Sequence, residues 1–439
     1  MDNHTKTKGK NTRRAFLKTT GTTLAATAVG MNMAYGATDF SSKSKTLKVG
    51  LIGCGGRGTG AAVNAVNADP NVILTAMGDI FEDHLDKAYS VLKDEEPDKV
   101  KVDDDHKFIG FDAYQKVIDS GVDVVLLATP PNFRPDHMEA AIKAGKHVFS
   151  EKPVAVDAPG VRKVLAAARE AKRKNLSILS GFCYRYDNIN RAAYERIHDG
   201  AVGEIRSVST MRFGGELWSN PRQPGWSDME YQLRNWLYYD WLSGDFITEQ
   251  AVHSLDLMAW ALGDRLPVKA IGTGGRQKRT DPIYGNIYDH FAIEYEYEDG
   301  VKGIHLTRQQ SGTKGRNSVD VFGSEGHALI NPASAARITA KGKDWKFEGE
   351  RNNMYQTEHN EFFEAIRKNK PMNDGEWMAH SSMLAILGRM VAYSGQEITW
   401  DEALESNTHL GPKFDEYAWD LKWPMTPVPV PGKTKVLKS

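Results

Sequence analysis

The sequence predicts two consecutive units, an α/β domain built on a parallel sheet and an α+β domain with a large, mostly antiparallel sheet. The chain has 439 residues, enough for two or three domains. Short apolar runs alternate with helical patterns between residues 46 and 150, which is typical of a parallel sheet. Between about 204 and 350, strand patterns follow one another without intervening helices, which favours an antiparallel meander.

Composition and charge exclude several classes of protein. There are 56 basic and 57 acidic side chains, so the chain lacks the excess positive charge that nucleic-acid binding requires. The two cysteines, Cys54 and Cys183, are too few for a zinc site, and we expect them to be small buried thiols. The acidic run at 103–105 is expected to be a solvated loop, so we predict no metal site. No stretch after residue 37 has the apolar length of a membrane span.

Residues 1–37 have the pattern of a twin-arginine signal peptide. A polar, basic start leads to Arg13-Arg14 and Phe16-Leu17-Lys18, followed by a Thr/Gly/Ala stretch that ends in small residues. We therefore expect the export machinery as a partner and a periplasmic location. Because this route carries folded proteins, we also expect an organic cofactor that is bound tightly before export.

A glycine-rich turn predicts a Rossmann dinucleotide-binding domain over residues 38–165. The apolar strand pattern at 47–52 runs directly into a Gly-x-Gly-x-x-Gly motif, and an Ala-rich helical pattern follows. The glycines permit the tight turn, the approach of the pyrophosphate and close helix packing, and the helix N-terminus faces the phosphates. The expected cofactor-binding residues of this turn are Gly53, Gly55, Gly56, Arg57 and Gly58.

An acidic residue at the end of the second strand predicts the choice of cofactor. The strand pattern 72–77 leads to Asp79, which follows Gly58 at the spacing expected of a ribose ligand. A carboxylate there accepts hydrogen bonds from the ribose and repels a 2′-phosphate. NAD is therefore favoured over NADP.

Further polar residues follow the next two predicted strands. Ligands bind at the carboxyl ends of parallel strands, so residues at these ends are expected to lie together. After the strand 122–128 come Thr129, Pro130 and Asn132, then a helix that contains His137; after the strand 147–150 come Glu151 and Lys152. We expect all six residues to line the cofactor site.

This pattern resembles the Gfo/Idh/MocA oxidoreductase family, which is named for glucose-fructose oxidoreductase and inositol dehydrogenase. The resemblance rests on Glu151-Lys152-Pro153, on the preceding Thr-Pro-Pro-Asn and on Tyr184-Arg185-Tyr186-Asp187, and it extends over about residues 46–395. It implies that the second domain, expected at 166–400, supports a substrate site and oligomer contacts on its sheet, and we expect a dimer or tetramer. Late helices are expected near the first domain, and 401–439 is predicted to be an extended tail over the surface or a neighbouring subunit.

Candidate catalytic residues follow from the chemistry and the resemblance. Hydride transfer from a sugar carbon needs a base for the hydroxyl proton and a cationic or donor group for the developing carbonyl, and Lys152 fits the second role. The resemblance implies that His253 accepts the proton and that Glu249 binds a substrate hydroxyl or the imidazole. Their spacing of four predicts one face of one helix. Tyr184 is expected near the nicotinamide as a possible second base.

Two residues depart from the family pattern. Polyol dehydrogenases of the family usually have Asp where this chain has Glu249, and glucose-fructose oxidoreductase has Tyr near the position of His253. The identity of the sugar therefore stays open.

Tryptophans interleaved with polar residues favour a sugar substrate. Trp218, Trp226, Trp236 and Trp241 occur among Arg212, Arg222, Arg234 and Asn235. Aromatic faces stack on the C–H faces of pyranose rings, although the same residues would also suit a packing seam between loop and sheet. The expected substrate contacts are Glu249, Trp236, Asn235 and Tyr288, and Arg185 is expected to face the nicotinamide pocket with Tyr184.

Three functions are compatible with the sequence. The first is an NAD-dependent sugar or glycoside oxidoreductase. The second is a redox-neutral glycoside hydrolase that oxidises, eliminates and re-reduces its substrate; certain NAD-dependent glycosidases carry a Cys-Tyr-Arg run similar to residues 183–185. The third is a sugar-binding protein without catalysis, which the presence of Lys152 and His253 disfavours.

Overall fold

A six-stranded parallel sheet forms the first part of the computed structural model, which describes residues 45–342 and 344–437. Its strand order is β3-β2-β1-β4-β5-β6, with all pairings parallel. The strands are β1 Leu47–Ile52, β2 Val72–Asp79, β3 Lys107–Ile109, β4 Val124–Leu127, β5 His147–Ser150 and β6 Ile178–Ser180. The sheet thus continues past residue 165, where the sequence placed the boundary. Buried Val, Leu and Ile side chains on both faces explain why these strands read as continuous apolar runs.

Five helices connect these strands. They are α1 Gly56–Ala68, α2 Glu82–Glu95, α3 Ala113–Asp119, α4 Arg134–Lys143 and α5 Ala158–Arg173. Asp157 caps α5 by accepting a hydrogen bond from the backbone N–H of Gly160 at 2.8 Å. Because the crossovers bring all the carboxyl ends of the strands to one edge, the loops after β1, β2, β4 and β5 meet there.

A nine-stranded, mostly antiparallel sheet forms the second part, as the sequence predicted. Its order is β14-β13-β12-β11-β7-β10-β9-β8-β15, and the pairing of β7 with β10 is parallel. The strands are β7 Ile205–Gly214, β8 Lys269–Gly275, β9 His290–Glu296, β10 Lys302–Gln309, β11 Arg316–Gly323, β12 Gly326–Asn331, β13 Ala335–Ala340, β14 Trp345–Lys346 and β15 Ile398–Thr399. Alternating burial along β9 and β13 shows that one face is packed and the other faces solvent.

Eight helices complete the described chain. They are α6 Asn188–His198, α7 Asp228–Arg234, α8 Asp240–Ser243, α9 Asp245–Glu249, α10 Val252–Ala261, α11 Met354–Arg367, α12 Gly375–Ser394 and α13 Trp400–Glu405. Helix α10 packs on β7 and β11, while α12 lies between α5 and β8. Helix α11 packs on α1, so the late part of the chain returns to the first domain. The buried helices α10 and α12 therefore join the two sheets.

The C-terminal tail, defined here as residues 407–437, lies along its own chain. The backbone N–H of Leu410 donates to Asp157 at 2.8 Å, and the Tyr417 hydroxyl accepts from Asn132 at 2.6 Å. Trp419 packs on Phe111, with ring centroids 4.9 Å apart. Of the two locations that the sequence left open, the tail takes the surface of the same chain.

Three further sequence predictions concern membrane spans, the signal peptide and the cysteines. Within residues 45–437, no helix is long and apolar enough to cross a membrane. The signal peptide predicted at 1–37 lies outside the described residues. Cys54 and Cys183 are buried and free, which confirms that they are isolated thiols.

Candidate active site

The glycine-rich turn between β1 and α1 has the shape that its sequence predicted. Gly53 has a φ of +96°, and a Cβ there would lie 2.6 Å from the backbone of Ala128. A Cβ on Gly58 would lie 1.9 Å from the carbonyl oxygen of Gly53, so only glycine permits this close packing of helix on strand. A Cβ on Gly55 or Gly56 would meet nothing within 4 Å.

This open space fits the pyrophosphate of a dinucleotide. The first N–H groups of α1 have no partner within the helix, and its N-cap, Gly55, provides no side-chain cap. Backbone donors therefore point into an unfilled region at the positive end of the helix dipole. Phosphate groups accept hydrogen bonds from these backbone donors, and their negative charge is stabilised by the helix dipole.

Asp79 ends β2 beside this turn. Its two oxygens accept backbone hydrogen bonds from Cys54 at 2.6 Å and from Phe81 at 2.9 Å. Burial raises the pKa of Asp79, while the hydrogen bonds from Phe81 and Cys54 oppose that shift. The backbone contacts fix the carboxylate in place, and each oxygen keeps a further lone pair for a ribose hydroxyl.

Arg57 and Glu151, both predicted at the cofactor site, are bonded to each other. The Arg57 guanidinium also lies 3.4 Å from Glu358 and over the ring of Tyr355 at 4.6 Å. Burial by itself lowers the pKa of Arg57, but Glu151 and Glu358 outweigh it and hold the pKa above its ordinary value. This network joins α1, the β5 loop and α11, and the side chain of Arg57 remains 36% exposed at the turn.

The loop after β4 contains Thr129, Pro130 and Asn132, which the sequence predicted at the cofactor site. Arg134, which sequence reasoning missed, donates to the carbonyl oxygens of Thr129 at 2.8 Å and Glu151 at 3.0 Å. It therefore fixes the β4 loop against the β5 loop. Asn132 donates to the tail, as described above, and Pro130 belongs to the same turn, where its carbonyl oxygen accepts from the N–H of Phe133 at 3.1 Å.

His137 is packed in an aromatic stack. Its ring lies parallel to Tyr114 at 4.3 Å, and burial lowers its pKa to about 3, so it is neutral at physiological pH. The nearest polar side-chain contact is Thr129, whose hydroxyl lies 3.4 Å from Nδ1. His137 therefore packs behind Thr129 and supports that residue.

Lys152 and Glu249 meet where the two domains face each other. The Lys152 ammonium donates to the carbonyl oxygen of Glu249 at 2.8 Å and to Oε1 of its carboxylate at 3.2 Å. Their side chains are 15% and 13% exposed. Within the described residues, the buried Oε2 of Glu249 has no hydrogen-bond partner. The carboxylate therefore has an acceptor free for a ligand hydroxyl.

His253 lies in an apolar setting on α10. Its ring centroid is 5.1 Å from that of Tyr184 and 5.9 Å from that of Phe182. Burial, then the charges of Lys152, Arg212 and Arg57, lower its pKa well below the ordinary value, so the imidazole is neutral. Its buried Nδ1 has no hydrogen-bond partner among the described residues. A neutral imidazole with an unused nitrogen is suited to proton transfer.

The one-helix geometry predicted for Glu249 and His253 is wrong. Helix α9 ends at Glu249 and α10 begins only at Val252. The break lies at Gln250, whose side-chain oxygen accepts from Nε2 of Gln309 on β10 at 2.6 Å. At this position the chain bonds to the sheet instead of continuing the helix. Glu249 is therefore held at the site by its hydrogen bonds with Lys152 and not by a shared helix face with His253.

Three predicted site residues are bonded elsewhere, which corrects their expected positions. Arg185 donates to Asp256 at 2.8 Å and to Asp264 at 2.6 Å, and its guanidinium stacks on Trp377 at 3.9 Å. It is a structural ion pair rather than a nicotinamide contact. The side chain of Asn235 is bonded to both backbone groups of Asn220, at 2.7 and 3.1 Å.

Tyr288 is the third of these residues. It is 1% exposed, and its hydroxyl donates to the carbonyl oxygen of Pro429 in the tail at 2.9 Å. Trp236, by contrast, is partly buried and packs in the aromatic cluster that contains Phe81 and Phe133. Trp236 therefore packs against a cluster that includes residues from the loops after β2 and β4.

The sequence singled out Arg212 only as a polar neighbour of the tryptophans, and it did not predict the group of polar residues that Arg212 joins on the packed face of the second sheet. Arg212 on β7 lies opposite Asn317 on β11 and Thr307 on β10. Asn317 donates to the Tyr184 hydroxyl at 3.3 Å. These strands are about a hundred residues apart, so only their register brings the side chains together, and no local sequence signal indicates it.

Comparisons with known proteins agree with this architecture. Residues 47–178 match the model of the Gfo/Idh/MocA oxidoreductase family with an NAD-binding Rossmann fold, and residues 190–329 match the C-terminal domain of that family. Myo-inositol 2-dehydrogenase of Thermotoga maritima is 23% identical over 70% of this chain and 81% of its own length. The 2,7-anhydro-N-acetylneuraminate hydratase of Escherichia coli is 29% identical over 41% of this chain and 44% of its own.

A solved structure confirms the two-domain fold. The aldose-aldose oxidoreductase of Caulobacter crescentus, crystallised with glycerol, superimposes with a TM-score of 0.64 at 20% identity, over 81% of this chain and all of that one. The family matches cover most strands of both sheets and the loops that contain Gly53, Asp79 and Lys152. The chain therefore belongs to the Gfo/Idh/MocA family of oxidoreductases, and its first domain is the family's NAD-binding Rossmann domain.

Proposed function

We propose that this protein oxidises a ring hydroxyl of a sugar or glycoside, using Lys152 and His253. The observation that carries the proposal is the convergence of a paired lysine and carboxylate, a neutral buried histidine and a tyrosine hydroxyl beside the dinucleotide edge. NAD⁺, when bound there, accepts the hydride from the carbon that is oxidised. The names of the related inositol dehydrogenases and aldose oxidoreductase support a polyhydroxylated substrate.

The chain's own groups account for the proton and the charge. The neutral imidazole of His253 takes the hydroxyl proton through its unused nitrogen. The Lys152 ammonium stabilises the negative charge that develops on the same oxygen. Glu249 positions this ammonium through its carbonyl and carboxylate oxygens and accepts a hydrogen bond from a neighbouring hydroxyl.

A redox-neutral lyase or hydrolase reaction is the second candidate. In that reaction the substrate is oxidised, loses a leaving group by elimination and is reduced again, so no net NADH forms. Tyr184 favours it, because its ring lies 5.1 Å from that of His253 and its hydroxyl supplies a second proton-transfer group. The relative named as a hydratase also supports it.

The proposal includes the setting in which the protein works. We propose a periplasmic enzyme, exported in its folded state with tightly held NAD, on the basis of the Arg13-Arg14 pattern.

We also propose a homo-oligomer. The solvent face of the large sheet supports it, because strands β8, β10 and β11 expose Ile271, Ile304 and Phe322 by 49%, 36% and 43%.

The two reactions are separated by one assay on protein purified without added NAD. Nitrophenyl glycosides and free sugars are mixed with the protein, and nitrophenol release is followed together with the absorbance of reduced nicotinamide. A dehydrogenase produces NADH in proportion to bound cofactor and stops until a carbonyl acceptor is added. Repeated release of nitrophenol without NADH identifies the redox-neutral reaction, and the absence of both products across the panel contradicts the proposal.

Asp79 is proposed to select NAD over NADP. Replacing Asp79 by Asn removes the charge and keeps one acceptor oxygen, which retains one of the two hydrogen bonds from the N–H groups of Cys54 and Phe81. We expect the ratio of the NADP to the NAD dissociation constant to fall by about tenfold or more, which is about 1.4 kcal/mol of removed repulsion. Fluorescence titration of cofactor-free protein with NADH and NADPH measures it; an unchanged ratio contradicts the assignment.

A further inference from the structure

Arg212 differs from most interior arginines of the described residues, among which the buried Arg389 also has an Nη1 without a hydrogen-bond partner. The side chain of Arg212 makes no hydrogen bond, ion pair or ring contact with any described residue, although it lies on the packed face of the large sheet beside buried Thr210 and Thr307. Arg57 and Arg185, in comparable positions, each contact two carboxylates. A half-buried guanidinium without a partner loses hydration and gains nothing in return. Such a group is explained if a ligand supplies the missing anion.

A cavity lies directly in front of Arg212. It has a volume of about 340 Å³ and is lined by Arg212 and Arg308 from the sheet and by Phe246 and Gln250 from the α9 region. Arg308 borders the cavity from the other face of β10, where its guanidinium stacks on Phe213 at 4.3 Å and donates to the carbonyl oxygen of Lys314 at 3.1 Å. Glu216, the one carboxylate in the lining, accepts from the Tyr284 hydroxyl at 3.2 Å. The carboxylate of the lining thus has a protein partner, whereas Arg212 has none.

The cavity adjoins the catalytic group. Gln250 in its wall follows Glu249 directly in the chain. Asn317 lies opposite Arg212 and donates to the Tyr184 hydroxyl, and its own side-chain oxygen is buried without a partner among residues 45–437. A ligand that occupies the cavity thus has one end at Arg212 and the other near the residues that are proposed to carry out the oxidation.

We propose that the substrate is an acidic sugar, a uronic acid or its glycoside, whose carboxylate is bound by Arg212. The planar guanidinium matches a carboxylate through two parallel hydrogen bonds, which a lysine does not offer. This inference rests on the proposed function, because it names the substrate class of the same site.

The test compares two substrates that differ only in the anionic group. Methyl β-glucuronide and methyl β-glucoside are titrated into the NADH-bound protein by calorimetry, and NADH production from each is measured with NAD⁺. We expect the glucuronide to bind at least about tenfold more tightly, and Arg212→Gln to remove that preference. Arg212→Lys keeps the charge without the planar fork and is expected to retain only part of it.

Arg206→Gln is the matched control. Arg206 lies on the same strand, is 62% exposed and pairs with Glu204, so its replacement is expected to leave the preference unchanged. Equal binding of the two glycosides by the unmodified protein, or a preference that persists in Arg212→Gln, overturns the inference. A preference for glucose 6-sulfate or glucose 6-phosphate over the glucuronide overturns the assignment of the carboxylate.

Separate measurements of binding and of oxidation distinguish a failure of this inference from a failure of the proposed function. If the glucuronide binds selectively through Arg212 but neither glycoside is oxidised or cleaved, the acidic-sugar site stands and the proposed oxidation fails. If the neutral glycoside is oxidised as well as the glucuronide, the oxidation stands and the acidic-sugar inference fails.

Discussion

Replacing Lys152 by alanine is expected to lower the rate of substrate oxidation by about 100- to 1,000-fold, the loss typical of removing one group that stabilises a developing charge. Its ammonium is the one cation that contacts Glu249 in the described chain, and no neighbouring donor takes its place. Single-turnover formation of reduced nicotinamide, with saturating substrate, measures the change.

The cofactor is expected to stay bound in this variant. The turn at Gly53–Gly58 and the carboxylate of Asp79 make no contact with the Lys152 ammonium. Lys163→Ala serves as a control for removing a lysine from the same domain, since Lys163 forms only a surface ion pair with Asp136. An unchanged rate in Lys152→Ala would remove Lys152 from the chemistry, whereas loss of NADH binding would assign it to the cofactor instead.

Local sequence patterns were sufficient to predict the dinucleotide edge. The requirement for glycine at Gly58 arises from the carbonyl oxygen of Gly53 within one β-α unit, so strand, motif and helix are adjacent in the chain, whereas Gly53 approaches Ala128 after β4. Asp79 and Lys152 follow strands that end at the same edge, which topology makes predictable. The periodicity of the later strands likewise predicted the second sheet.

The substrate side depends on distant partners, which is why sequence predicted it poorly. Arg185 and Asn235 have side chains that suit a binding site, but their actual partners are fixed by the fold. The partner of Tyr288, the Pro429 carbonyl oxygen, is 141 residues away. Residue type shows that a polar group needs a partner; only the structure shows whether that partner is protein or ligand. Arg212 is the reverse case, in which the protein supplies none.

Removal of the C-terminal tail after Asn407 is expected to destabilise the protein and to accelerate loss of cofactor. The tail packs Phe414, Tyr417 and Trp419 on aromatic residues of the first domain, so its removal exposes apolar surface worth at least about 3 kcal/mol. Trp419 also contacts Phe81, with ring centroids 5.5 Å apart, two residues after Asp79. The tail therefore covers the edge where the adenosine ribose is expected.

Thermal unfolding and retained NAD after gel filtration measure the two effects separately. Truncated protein is expected to unfold at lower temperature and to lose NAD that the full chain keeps. Trp218→Ala is the matched control, because Trp218 is 50% exposed and lies outside the tail. Full retention of NAD by a folded truncated protein would show that the tail does not enclose the cofactor edge.

Removing the hydroxyl of Tyr417 tests whether the tail retains the cofactor independently of its effect on stability. Tyr417→Phe keeps the ring contacts with Phe111 and Phe133 but removes the acceptor for Asn132. The loss of this hydrogen bond is expected to cost only about 1 kcal/mol of stability. Asn132 follows the β4 strand end directly, so releasing it loosens the loop at the cofactor edge. Faster NAD release with a nearly unchanged unfolding temperature would show that the tail holds the cofactor through this loop, whereas unchanged release would limit its role to packing.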